Sequence, residues 1–518
     1  MYNQNLSNLK RNELSNWLYS PGWRSEVIVQ KSSQEDISKM NILLFSDSSI
    51  FNHILTKHLK SNRANFSYVK IGKGFKKLSN KEYIVNPENK DDFFSLFSKL
   101  HSTKNLPNKI IYYWPLIENF FEFEDYFNQL LYLIQALSET PHKICLTVLI
   151  SNAYNIIGTE NVKPEKAIII GPCKVVNKET NNISCKIIDI GLENDYKNDS
   201  IFFQIFEDIL SDELKDVIAY RGKVRWVPQY YRLTLPKTGT SNSLLKPHGT
   251  YLITGGTGGI GLQLAIHLGQ KWKATLILIS RTVIPPKKDW AQAIKSTNDL
   301  KIKNILLSLI KLDDLGINFS LLNADVTNFI QMQKAFGLAY KIAGRIDGII
   351  YAAGTGGEGM IQLKTAEKAK QVYSAKVEGL GVIEKLINKK SLDFLLIFSS
   401  LSSVLGEFGQ SDYCSANSFS DSFAHRFEAV SNIRTISVNW GAWAEVGMAV
   451  NNLSGAANKN KSTLMYDFHA LEGAILTSEG IKMFETLLTL SHVKQVIVSP
   501  FELYELIQKQ QNFSLHDL

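Results

Sequence analysis

Residues 250–261 read TYLITGGTGGIG, and residues 262–272 continue as LQLAIHLGQKW. A short branched apolar run, a cluster of glycines and an amphipathic stretch spell strand, turn and helix start. Glycines at such a turn accept a left-handed backbone and let N–H groups approach an anion at the helix N-terminus, where the helix dipole favours negative charge. In this context the turn is a site for the diphosphate of a dinucleotide. Its candidate contacts are Thr254, Gly255, Gly256, Thr257, Gly258, Gly259, Ile260 and Gly261.

The pattern continues outward on the carboxyl side. ATLILISR (274–281), NFSLLNADV (318–326), IDGIIYAAG (346–354), LDFLLIFSS (392–400) and IRTISVNWG (433–441) read as buried strands separated by helical segments. That alternation predicts a doubly wound parallel sheet. Its second strand ends in Ser280 and Arg281, a hydroxyl and a guanidinium where an enzyme selective for NAD places an acid, so the 2′-phosphate of NADPH is expected. Asp325 and Val326 close the third strand; Ala352, Ala353 and Gly354 close the fourth, small enough for a flat cofactor to cross.

On the amino side a similar alternation runs from about 40 to 220. NILLFSD (41–47), KIIYYWPL (109–116), KICLTVLIS (143–151), AIIIGPCKVV (167–176) and CKIIDI (185–190) read as strands, with DDFFSLFSKL (91–100) and EDYFNQLLYLIQALS (124–138) as helices between them. The first strand runs through Asp47 into SSIFNHIL with no glycine, so this half is not expected to hold a dinucleotide. The expected fold class is therefore α/β, two Rossmann-like doubly wound parallel-sheet subdomains, the second binding the cofactor. We place the first at 1–236, a Pro/Gly/Ser/Thr-rich linker at 237–248 within LPKTGTSNSLLKPHG, and the second at 249–518. A polar stretch beginning VNNLSGAANKNKST (450–463), followed by a helical one, reads as a lid at about 448–480.

Composition excludes several classes. The 518 residues are 44% hydrophobic and 20% charged, with no apolar run long enough for a membrane span and no secretory signal in MYNQNLSNLKRNEL, so a cytoplasmic protein is expected. The net charge of +8 is spread along the chain without a basic block, which argues against nucleic-acid binding. Cys145, Cys173, Cys185 and Cys414 lack metal or disulfide spacing and are expected to be free thiols; no metal is predicted.

In FSSLSSVLGEFGQSDYCSANSF (398–419), Ser400 closes a strand and Tyr413 follows thirteen positions later on a helix. This spacing, with the Thr-Gly-x-x-x-Gly-x-Gly turn, resembles short-chain dehydrogenases. Most members continue with lysine four residues after the tyrosine. Here that position is Asn417, and the lysine stands upstream as Lys376 in SAKVEGLGVIEKL. The exchange is that of the ketoreductase domains of modular polyketide synthases. VNWGAWAEVGMA (438–449), EGIKMFETLL (479–488) and KQVIVSP (494–500) are similar to the same family, and YSPGWRS (19–25), YYWPL (112–116), ENVKPEKAIIIGPCKVV (160–176) and AYRGKVRWV (219–227) resemble the structural subdomain that precedes its catalytic one.

The resemblance implies NADPH-dependent reduction of a β-ketoacyl thioester on the phosphopantetheine arm of an acyl carrier protein, among neighbouring polyketide synthase domains. Hydride addition puts negative charge on the ketone oxygen, so a proton donor and a hydrogen-bond donor must meet it there. Tyr413 is expected to give the proton and Ser400 to orient the carbonyl. Lys376 is expected to lower the Tyr413 pKa and hold the ribose, and Asn417 to hold a relay to water. The family's stereochemical fingerprints are replaced: Gly356, Gly357 and Glu358 stand where one class has Leu-Asp-Asp, and Leu405 where the other has tryptophan. Glu358 inclines the reading toward the class that makes D-configured alcohols, and Tyr351 stands where the family often has histidine. A non-catalytic scaffold domain and a free-standing reductase of a small ketone are the alternatives.

Overall fold

A computed structural model describes residues 10–27, 37–117, 122–191, 197–212, 215–235, 243–357, 359–387, 392–450 and 473–511. Glu358, residues 237–242 of the expected linker and residues 451–472 of the expected lid lie outside them.

Strands of the first half are β1 (Leu18–Ser25), β2 (Asn41–Phe45), β3 (Asn65–Ile71), β4 (Lys76–Lys77), β5 (Glu82–Val85), β6 (Lys109–Tyr112), β7 (Ile144–Ser151), β8 (Ile183–Ile190), β9 (Val217–Arg221) and β10 (Val224–Arg232). The second half adds β11 (Thr250–Thr254), β12 (Thr275–Ser280), β13 (Phe319–Asn323), β14 (Gly348–Tyr351), β15 (Phe394–Ser400), β16 (Arg434–Trp440) and β17 (Gln495–Val498). Longer helices are α1 (Ile50–Ser61), α2 (Lys90–Ser102), α3 (Phe123–Ser138), α4 (Ile170–Glu179), α5 (Asp199–Leu210), α6 (Gly259–Trp272), α7 (Leu300–Asp314), α8 (Phe329–Ala343), α9 (Ala366–Leu386), α10 (Ser411–Ser431), α11 (Thr477–Leu487) and α12 (Leu503–Gln511).

Each half contributes a parallel sheet of the same order. In the first, β5-β3-β2-β6-β7-β8-β9 lie side by side; in the second, β13-β12-β11-β14-β15-β16-β17. The strand order reverses direction beside β2 in one and beside β11 in the other, which opens a crevice at the carboxyl end of each. The α/β class is as expected. The two sheets are nevertheless one: β9 turns into antiparallel β10, which pairs with β1, which pairs with the C-terminal strand β17. The first strand of the chain thus sits against its last, Leu18 opposite Val498.

One element departs from the sequence reading. AIIIGPCKVV is not a strand; after a short helical turn at Pro164–Ala167 it forms α4. An apolar run buried on all sides carries no periodicity to separate strand from helix. Burial here comes from α10, against which α4 packs so closely that a Cβ on Gly171 would overlap the Ser411 carbonyl and the Ser415 hydroxyl. The Ser415 Oγ closes the seam by donating to the Ile168 carbonyl at 2.5 Å. We expect Gly171→Ala to destabilise the fold by about 1–3 kcal/mol through overpacking; urea unfolding that leaves the midpoint unchanged would refute this packing.

Candidate active site

At the end of β11 the chain turns through Gly255, whose φ of +66° is in the left-handed region. A side chain there would also meet the Ala352 carbonyl, 2.9 Å from the Cβ position. The Gly258 N–H closes the turn on the Gly255 carbonyl at 2.8 Å, and Gly258 then caps α6. A Cβ on Gly261 would lie 2.7 Å from the same carbonyl, so α6 starts directly against the turn. Thr254 is fully buried and Gly256 leaves no room beside Leu278. Glycine here keeps a cradle open in front of the first turn of α6, a donor set that fits a diphosphate. In the first half the corresponding turn is filled by an acid: Asp47 Oδ1 accepts from the Ser49 N–H at 3.0 Å and its hydroxyl at 2.6 Å.

The other expected contacts lie around this cradle. Thr257 Oγ1 donates to Ser280 Oγ at 2.7 Å, tying the turn to the end of β12, and Arg281 follows as an exposed residue. Asp325 and Val326 lie just beyond β13 rather than in it; the carboxylate accepts from the Thr327 N–H and hydroxyl at 2.9 and 2.8 Å. Ala352 donates its N–H to the Thr254 carbonyl at 3.2 Å. The Ala353 N–H reaches Thr254 Oγ1 at 3.4 Å, and a Cβ on Gly354 would stand 3.4 Å from Lys376 Cε. Residues 446–448, which the sequence reading did not single out as contacts, cover the turn. Gly447 N would be 2.8 Å from a Cβ on Gly259, Ile260 packs on Gly447, and Met448 Sδ lies over Gly356.

Four polar side chains converge beside the cradle. Ser400 ends β15 and its Oγ caps the following turn by accepting the Ser402 N–H at 3.2 Å. Tyr413 is in the first turn of α10, with the Ser400 side chain near enough to act on its phenol. Lys376, in the middle of α9 and 4% exposed, donates to Asn417 Oδ1 at 2.5 Å and to the Phe398 carbonyl. Its Nζ lies 6.0 Å from the centre of the Tyr413 ring. Asn417 Nδ2 donates to the Tyr413 carbonyl at 2.8 Å and to Ser402 Oγ at 3.2 Å, so the fully buried amide has all its polar atoms on protein groups.

Burial pushes the Tyr413 phenol above its ordinary value, opposed by hydrogen bonds with Ser400 and Asn417, and no lowering by Lys376 accompanies them. Burial also brings the Lys376 ammonium down to about 7, with Asp421 pulling the other way, and two of its three N–H donors go to Asn417 and Phe398.

Asp421 escaped the sequence reading, although it lies eight residues after Tyr413 on the same helix face. Its carboxylate accepts from Ser403 Oγ (2.7 Å), Asn439 Nδ2 (2.8 Å) and Ser437 Oγ (2.6 Å). Asn439 Nδ2 also reaches the Ser400 carbonyl at 3.3 Å. This buried acid therefore anchors the segment that carries Ser400. All four cysteines are free thiols. Among the described residues there is no metal-ligand cluster and no helix long and apolar enough to cross a membrane.

A doubly wound sheet, a glycine cradle and a converging serine, tyrosine, lysine and asparagine define a site of the short-chain dehydrogenase/reductase type. Residues 249–445 match the family described as KR domain, and residues 40–208 the one described as Beta-ketoacyl synthase-like, N-terminal. Polyketide synthase PksM of Bacillus subtilis (strain 168) is 30% identical over 290 residues, 56% of this chain and 6% of that protein. The chain spans about 6% of the length of the first such relatives. An N-terminal ketoreductase from the macrolactin assembly line superposes with a TM-score of 0.74 at 24% identity, covering 96% of this chain and 93% of that one. A multidomain structure with adenylation, ketoreductase and pseudo Asub parts, from a keto acid-selecting NRPS module, superposes with a TM-score of 0.80 at 22% identity over 96% of this chain and 41% of that one. Residues 249–445 thus form a KR domain, within a chain whose fold is that of ketoreductases and whose sequence is similar to polyketide synthases.

The lysine yields a pH prediction. Its folded value, about 7, lies below the ordinary 10.5, so the cost of burying the charged form is fully present below about pH 7 and fades as pH rises toward 10.5. Removing the group in Lys376→Met should therefore favour the variant's melting temperature, relative to wild type, more at pH 6 than at pH 9. Calorimetry giving the same difference at both pH values would contradict a buried titrating amine.

Proposed function

We propose that this chain reduces the β-keto group of an acyl thioester, carried on the phosphopantetheine arm of an acyl carrier protein, using NADPH. It works in the cytoplasm beside other domains of a polyketide synthase, with 1–236 as a non-catalytic subdomain and 249–518 as the catalytic one. The observation that carries this reading is the meeting of Ser400, Tyr413, Lys376 and Asn417, from three separate segments, next to the glycine cradle.

When bound, NADPH supplies the hydride. Thr254, Gly255, Gly256, Thr257, Gly258, Gly259, Ile260 and Gly261 would hold its diphosphate, Ser280 and Arg281 its 2′-phosphate, Asp325 and Val326 its adenine, and Ala352, Ala353 and Gly354 its ribose and nicotinamide. Tyr413 keeps its proton because burial raises the phenol, which leaves it a donor for the oxygen that gains charge. Ser400 donates a second hydrogen bond to that oxygen. Asn417 fixes the place of the donor, since one amide holds both the Tyr413 carbonyl and the Lys376 amine.

Turnover of NADPH with a short β-ketoacyl pantetheine thioester is the expected result, with Tyr413→Phe slower by roughly 10²–10⁴-fold. An α-ketoacyl thioester belongs in the same assay, because one structural neighbour lies in a keto acid-selecting module. A scaffold domain would give no turnover, and a small-ketone reductase would prefer free ketones. Neither stereochemical fingerprint is intact, so chiral chromatography of the product decides the alcohol configuration, toward which Glu358 gives only a lean to D. Separately, Arg281→Ala should raise the KM for NADPH about 10- to 100-fold, the loss of one charge-assisted contact, and leave that for NADH unchanged; equal effects on both would place the 2′-phosphate elsewhere.

A further inference from the structure

The segment between Ser400 and Tyr413 is held from the other half of the molecule. After Ser400 comes a single helical turn, Ser402–Leu405, whose last carbonyls have no partner within so short a helix. They point at α4. Lys174 Nζ takes the Ser403 and Val404 carbonyls at 2.7 and 3.0 Å, and Lys178 Nζ, one turn along, takes those of Leu405 (2.6 Å) and Gly406. Glu179, the last residue of α4, is fully buried, and its two carboxylate oxygens accept two backbone N–H groups: Gly409 at 2.6 Å and Ile361 at 2.5 Å.

Gly409 and Ile361 belong to different walls. Gly409 follows Leu405 on the Ser400–Tyr413 segment; Ile361 follows Gly356 and Gly357, at the end of β14. The walls touch, since a Cβ on Gly409 would be 3.7 Å from Gly359 N, and Gly357 is pressed against the Asp412 carboxylate. Lys364 and Asp412, both buried, pair across the same joint at 2.7 Å. The Gln362 amide adds a bond to the Glu179 carbonyl at 3.2 Å, and Gln135, on α3, donates to the Ile361 and Lys364 carbonyls at 2.9 and 2.8 Å. Without α4, buried backbone groups on both walls would lose their partners.

We propose that Lys174, Lys178 and Glu179 of the first half are positioning residues for the reduction: they clamp the two walls of the cleft, and so set the distance between Ser400 and Tyr413 and the face of the ketone presented to them. This rests on the ketoreductase reading above and deepens it. Glu179 does the work of two acceptors, which makes Glu179→Gln a fine probe. The glutamine keeps the volume and one acceptor oxygen but turns an NH₂ toward the second backbone N–H, so one wall is released. Lys178→Met keeps the stem and releases the turn from the other side.

Both variants are to be compared with wild type in NADPH affinity, melting temperature, kcat and KM for the thioester, the ratio of product alcohols, and backbone amide exchange. A misplaced catalytic pair costs roughly tenfold or more in kcat. The expected outcome is that loss with an eroded alcohol ratio, NADPH affinity within twofold of wild type, and faster exchange confined to 359–364 and 403–410. Folded variants with wild-type kcat, alcohol ratio and exchange would overturn the clamp, as would activity lost in step with NADPH affinity while exchange stays unchanged. Should wild type reduce no thioester, the reductase reading falls, and exchange alone decides the clamp: acceleration confined to the two walls supports it, and unchanged exchange defeats it.

Discussion

Helix α10 carries Tyr413, Asn417 and Asp421 and is buried along most of its length, yet it is rich in serine and poor in large apolar residues. Such a helix is stable in an interior only if its polar groups find partners. Ser411 Oγ and Ser418 Oγ find none among the described residues, but Asp421, Asn417, Ser415 and Ser422 are met from both sides. From the second half, Ser403, Ser437 and Asn439 surround Asp421, and Lys376 meets Asn417. From the first half, the Ile168 and Ala153 carbonyls accept from Ser415 and Ser422. The position of the phenol is thus fixed by a polar seam between the halves together with the core packing of Phe419, Phe423 and Phe427.

That seam gives the first half a physical role at the site. Small residues let α4 approach α10 closely, its charged end satisfies the backbone beyond Ser400, and the β10–β1–β17 bridge makes the two sheets continuous. A cleft bounded by loops is kept in place by groups distant in sequence, as reactions that need a proton donor and an oriented carbonyl require.

Legibility in the sequence followed locality. The glycine turn and the Ser400–Tyr413 spacing are contained in single short segments, and both are found where the sequence placed them. Most parallel strands were legible because each is a brief apolar run between polar ones, but β3, β5 and β9 were not read as strands. The stretches that form β1 and β10 were noted only as resembling the family and were not read as strands, since Pro21, Gly22 and Pro228 interrupt them. α4 was misread because burial on every side erases its period. Glu179 and Asp421 were out of reach: each looks like a solvated helix acid until its partners are known, and Glu179 bonds to residues 182 and 230 positions away.

The central claim, that the four convergent side chains serve hydride addition to a thioester-bound ketone, is tested most directly by isotope transfer. NADPH carrying deuterium at the reactive C4 position is incubated with the protein and a β-ketoacyl pantetheine thioester, and the product is weighed by mass spectrometry. The account predicts a β-hydroxyacyl product heavier by one deuterium at the carbinol carbon with wild type and almost none formed by Tyr413→Phe. Unlabelled product, or equal labelling by both proteins, would contradict it.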